Sequence, residues 1–176
     1  MVMYLAFVAF LAQDNANPQT AALQDFEKRI SAYVSMEKNL AKGIPLSKPT
    51  DEPHLILERQ RELARKIREA RKNAKRGEIF TPAISTEFRR LLGLAMAGGR
   101  EAEILKSLAR SEPVRLVLHV NETYPADAPL QSTPPTILMN LPRLPPELEY
   151  RIDGPALVLR DAHANMVVDL IPDAIP

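Results

Sequence analysis

Apolar positions recur at three- and four-residue steps through roughly the first two thirds of the chain and at two-residue steps near its end. This predicts helices followed by strands. Leu23, Phe26, Ile30, Tyr33 and Leu40 form one helical stripe. The helix is predicted from Pro18 to Lys42, with Asn17 as cap, Pro18 at the first helical position and Gly43 as a left-handed stop. Ile44 to Pro53 carries three prolines and reads as an extended connector. A second helix is predicted from Pro53 to Arg76 on a narrow stripe of Ile56, Leu63, Ile67, Ala70 and Ala74, ending at Gly77. Thr81 and Pro82 open a third helix running to Ala97, with Ile84, Phe88, Leu91, Leu92 and Ala95 on its buried face. Gly98 and Gly99 stop it, and a shorter fourth helix is predicted over Arg100 to Arg110.

Val114 to Val120 alternates: Val114, Leu116, Leu118 and Val120 on one face, Arg115, Val117 and His119 on the other, the pattern of a half-buried strand. Thr136 to Leu141 reads as a second strand. Leu148 to Asp153, Ala156 to Asp161 and Met166 to Ile171 follow, joined by an Asp153-Gly154 turn and a short Ala162 to Asn165 connection. Connections this short force antiparallel neighbours. The expected fold is therefore α+β: about four helices, then an antiparallel β-meander of about five strands covered by helices three and four. Proline use marks the same division, because 11 of the 16 prolines lie at or beyond Pro113, where helix interiors would be broken. The chain divides into 1–17, a helical region 18–112 and a proline-rich strand region 113–176.

The opening run, MVMYLAFVAFLA, is uncharged and has the length of the apolar part of a secretory signal. It reads as a signal peptide, so the expected location is the periplasm or outside the cell. No apolar stretch in the 176 residues reaches the length needed to span a bilayer, and no stable membrane insertion is expected. The chain has no cysteine, which excludes disulfides, thiolate metal sites, a cysteine nucleophile and a lipidated cysteine.

Net charge is only +1, yet it is unevenly spread: 19 basic and 13 acidic residues from Pro18 to Glu112, then 4 and 8. Nine basic residues fall between Glu58 and Arg76: Arg59, Arg61, Arg65, Lys66, Arg68, Arg71, Lys72, Lys75 and Arg76. Such a run is either a solvated helix face or a surface for anions such as acidic lipid headgroups or an acidic partner. The anion-binding reading uses Arg59, Arg65, Arg68, Arg71, Lys72, Lys75 and Arg76. Nucleic acid is not expected, since Glu58 to Arg76 contains no aromatic residue on which a base could stack.

Catalytic chemistry is thin. Of three histidines, His54 falls at the start of helix two and His119 on the polar face of a strand. His163 falls in a turn, and Asp161, His163 and Asp169 make the best cluster if the last hairpin forms. Two carboxylates and an imidazole could serve a hydrolase or hold a metal, but aspartates in turns more often bond locally to the backbone. Glu147 and Glu149, two apart at a strand start, alternate in direction. No serine lies in a glycine-flanked strand–turn–helix elbow. The glycosylation pattern at Asn121, Glu122 and Thr123 is too short to be specific. No cofactor is expected, and the expected role is a non-enzymatic binding module, with the hydrolase or metal enzyme and the anionic-surface binder as alternatives.

GEIFTP at Gly77 to Pro82, with FRRLL at Phe88 to Leu92, resembles a segment of a family of uncharacterised exported bacterial proteins. The tail LPRLPPELEYRIDGPALVLRDAHANMVVDLIPDAIP, Leu141 to Pro176, resembles the end of the same family. The resemblance covers about the last hundred residues and implies an exported location and a shared C-terminal fold. It carries no catalytic residue.

Overall fold

The computed structural model describes residues 17–44, 52–97, 99, 102, 104–106, 116–125 and 133–175. The opening run 1–12 lies outside these residues, as does most of helix four, of which residues 102 and 104–106 are helical. The architecture is α+β, with α1 (Pro18–Lys42), α2 (Pro53–Ala70), α3 (Pro82–Met96) and a single turn, α4 (Pro135–Leu138). A three-stranded antiparallel sheet follows, β1 (Leu148–Asp153), β2 (Ala156–Asp161) and β3 (Met166–Ile171), in the order β1-β2-β3.

Caps set the helix starts. The Asn17 side chain accepts the Gln19 N–H at 3.0 Å, and Thr81 Oγ1 accepts from Ile84 at 3.4 Å. Two helix ends differ from expectation. Gly43 has φ −83°, so α1 stops without a left-handed residue; the Gly43 carbonyl instead accepts Lys66 Nζ at 2.7 Å. The second helix ends six residues early, at Ala70 rather than Arg76. Asn121 explains the stop: its Nδ2 donates to the carbonyls of Arg68 (3.2 Å) and Arg71 (2.9 Å), satisfying acceptors that a continuing helix would have used. The chain then turns through Gly77, at φ +90°, toward α3.

Two of the five expected strands do not form among the described residues. Thr136 to Leu141 begins as the helical turn α4, because Pro134 and Pro135 precede it and Pro135 occupies the first helical position. Residues 116–119 make no ladder. Their alternation survives nevertheless: Leu116 and Leu118 turn inward against the sheet, while Val117 and His119 face out. The segment is held to the sheet at single points instead: Leu116 N–H donates to the Asp153 carboxylate of β1, Asn121 N–H donates to the Val167 carbonyl, and Thr123 bridges to Met166.

The hairpins fix the sheet. Asp153 pairs with Ala156 around Gly154, whose φ of +54° suits a tight β-turn, and Asn165 at φ +52° closes the second connection. A bulge at Leu159/Arg160 shifts the β2–β3 register. Both sheet faces are covered, so β2 and β3 are buried almost continuously instead of alternating. One face, with Tyr150, Ile152, Leu157 and Leu159, shares a core with the helices, and the other packs Val158 and Val167 beneath Tyr124, Leu116 and Leu118. Phe88 of α3 holds the first core together: its ring lies 4.8 Å from Phe26, 5.2 Å from Phe80 and 6.0 Å from Tyr150, each edge-on. Such pairs add about 0.5–1.5 kcal/mol each beyond burial.

Candidate functional site

The cluster singled out by sequence, Asp161, His163 and Asp169, lies on the β2–β3 hairpin, but each member serves a different partner. Asp169 is completely buried and accepts backbone N–H groups from one turn. Its Oδ2 receives Ile79 and Phe80, both at 2.8 Å, and its two oxygens share the N–H of Gly77. Oδ1 also takes the Leu170 N–H at 2.8 Å. The carboxylate is thus the anchor of the GEIFTP segment.

Asp161, equally buried, closes the hairpin connection by accepting the Ala164 N–H at 2.7 Å and reaches α1 by accepting the Tyr33 hydroxyl at 2.8 Å. Burial pushes its carboxyl above the ordinary aspartate range, with the Ala164 and Tyr33 hydrogen bonds opposing. Burial, with Asp161 adding, drives the Tyr33 phenol far above its ordinary value, so it stays protonated and donating. Arg71 lies over the Tyr33 ring, 5.2 Å from its centroid, and donates to Glu78 at 2.8 Å and to the Val168 carbonyl at 3.2 Å.

His163 is half-exposed and meets Glu37 of α1, Nδ1 to Oε1 at 3.2 Å. Glu37 is buried, which raises its carboxyl above the usual range, while the His163 contact lowers it and the Asp161 charge raises it again. Beside it, Lys38 pairs with the buried Glu147 at 2.8 Å and holds that carboxyl below its ordinary value. Glu37 and His163 face a cavity of about 390 Å³ with Leu63, Ile56 and Arg59. Glu37, missed by sequence reasoning, was legible only as a polar position in line with Ile30 and Tyr33. Glu149 stands apart from Glu147, paired with Arg151 and Arg160 on the sheet's other side. Among the described residues, no group of three histidine, aspartate or glutamate side chains is placed to hold a metal ion.

The basic run divides into separate places. Arg61, Arg65 and Arg68 follow at four- and three-residue steps and share one exposed face of α2. Arg65 forks onto Glu62, and Arg68 reaches Thr123 Oγ1 at 3.0 Å. Arg59, two residues before Arg61, lies on a different flank, beside the Glu37 cavity. Arg71 is internal, its side chain only 8% exposed. Lys72, Lys75 and Arg76 are exposed, and like Arg59 and Arg61 they make no ion pair among the described residues. His119 joins Lys75 and Arg76 around a second cavity, whereas His54 lies on the surface 3.5 Å from Glu52. Asn121 is buried with its amide committed to α2, which leaves no accessible nitrogen for a glycan.

No family model, no curated protein and no solved structure matches this chain.

Proposed function

We propose that the protein is an exported, non-enzymatic binding module of the periplasm or cell envelope. It recognises an acidic partner through the exposed basic face of α2 and the turn behind it. The observation that carries this reading is a contrast in how charge is used. Asp161 and Asp169, the carboxylates of the hydrolase or metal-dependent alternative, are committed to backbone amides and to Tyr33. Arg61, Lys72, Lys75 and Arg76 are exposed and have no ion-pair partner among the described residues. Fixed charge without an internal partner is available to an external one. The signal-like run 1–12 and the tail resembling exported bacterial proteins support the envelope location.

The test measures binding of the protein, as recovered from cells, to immobilised poly-glutamate over a salt series. Affinity should fall as salt rises, and Arg61→Gln with Arg65→Gln should weaken it several-fold. Binding indifferent to salt and to both substitutions would overturn the reading, as would a substrate turnover abolished by His163→Ala. The N-terminal residue of the envelope-fraction protein tests export; a chain still starting at Met1 in the cytosol contradicts it.

A further inference from the structure

Asp169 fixes the turn that follows α2, and the turn delivers Lys75 and Arg76 to the wall of a cavity of about 450 Å³. The opposite wall is the 118–120 segment, with Leu170 of β3 between them. His119 comes from that segment, so positions more than forty residues apart supply three nitrogen-bearing side chains to one space. No acidic residue lines the cavity among the described residues. Of the carboxylates nearest in sequence to the lining, Asp169 is committed to the amides of the 77–80 turn and Glu78 to Arg71, while Glu122, two residues beyond Val120, is exposed and outside the lining. Leu118 and Leu170 give the cavity an apolar part.

The rim adds a second observation. Val117 is 83% exposed and, two residues from His119 on an extended segment, shares its outward face. The same segment is tied to α2 by Asn121 Nδ2 and by the bond from Arg68 to Thr123. The Arg68 end of the α2 stripe is therefore fixed to the same segment that supplies the cavity wall.

An exposed aliphatic side chain beside a cationic cavity combines the two signals that attach proteins to anionic bilayers: apolar insertion, and charge attraction of about 1 kcal/mol per cation near the surface. We propose that the Lys75–Arg76–His119 cavity takes the phosphate of an anionic lipid headgroup while Val117 enters the acyl boundary beside it. The inference rests on the basic-face reading above and narrows its acidic partner to a lipid surface.

Co-sedimentation with phosphatidylglycerol-containing vesicles, against pure phosphatidylcholine vesicles, tests it. The protein should bind only the former. Lys75→Gln with Arg76→Gln should weaken binding about tenfold to thirtyfold, and the uncharged Val117→Ser should weaken it without changing affinity for inorganic phosphate titrated against the His119 NMR signals. All three positions are exposed, and an unchanged thermal midpoint confirms that the fold is kept. Phosphate binding with no vesicle binding would overturn the lipid assignment. Vesicle binding that responds to Arg61→Gln with Arg65→Gln but to neither the cavity pair nor Val117→Ser would overturn the cavity and leave the basic face standing. Retention on poly-glutamate without vesicle binding would likewise overturn this inference alone.

Discussion

Asp169 Oδ2 accepts the backbone N–H of Phe80 at 2.8 Å across 89 residues of chain, and the neighbouring N–H of Ile79 shares the same oxygen at the same distance. A residue whose spacing invited a catalytic role is thereby a structural anchor. Asp169→Asn keeps the shape but leaves one oxygen where two were used. The amide nitrogen cannot accept, so in one orientation it faces the N–H groups of Ile79 and Phe80 and in the other those of Gly77 and Leu170, and either way a buried donor loses its partner. Stability should fall by about 2–4 kcal/mol, read from the midpoint of urea denaturation. A loss below half a kcal/mol would show that the turn holds itself.

Asp161 should respond differently. The Tyr33 hydroxyl can rotate to accept from an amide, and the other oxygen can still accept from Ala164. A carboxyl whose folded pKa stands above its unfolded value favours folding below about pH 4 and loses that contribution as pH rises through the folded value. Denaturation of wild type and Asp161→Asn at several pH values should show the stability difference moving in favour of the variant from about pH 4 upward. A difference independent of pH would contradict the burial effect.

Asn121 couples two requirements at one position, a backbone at φ +68° and an amide that closes α2. Asn121→Gly should lose the cap alone, about 1–2 kcal/mol, because glycine adopts positive φ without strain. Asn121→Ala should cost more, since the methyl group adds backbone strain. Equal thermal midpoints for the two variants would argue against the positive φ.

Arg71 and Lys72, adjacent in the basic run, should separate cleanly. Arg71→Lys removes the planar group lying over Tyr33 and the hydrogen-bonding fork between Glu78 and the Val168 carbonyl, and should destabilise the fold by about 1–2 kcal/mol. Lys72→Gln touches no internal partner and should leave stability within about half a kcal/mol. Chemical denaturation of the two single variants checks both outcomes.

Much of this architecture is written locally. Pro18 to Lys42 and the three strands after Leu148 have the expected bounds, because caps, prolines and two-residue alternation are signals a chain carries within a few positions. What was hidden came from a distance. Asn121 lies fifty residues beyond the helix it terminates, so nothing near Ala70 announces the stop. The pair Pro134 and Pro135 turns an apolar stretch of strand-like composition into a helical turn. Leu116 and Leu118 show that alternation predicts which side chains face a sheet even where no ladder forms. The candidate site was less legible. Asp161 and His163 are close in sequence, but α1 approaches them with Tyr33 and Glu37, and no spacing rule links positions more than 120 residues apart. The nine-residue basic run looked uniform because the register that drives Arg71 inward and leaves Lys75 and Arg76 beside His119 depends on where α2 ends.

The hairpin that holds Asp161 and Asp169 has a consequence for biogenesis. The ribosome makes α1, and the turn leading into α3, well before the two aspartates that tie them down. Until β2 and β3 emerge, Tyr33 has no acceptor and the N–H groups of Gly77, Ile79 and Phe80 have no carboxylate to gather them. The nascent helical half thus waits for the last two strands, and α1 and the 77–80 turn take up their final contacts only once the C-terminal hairpin has been made.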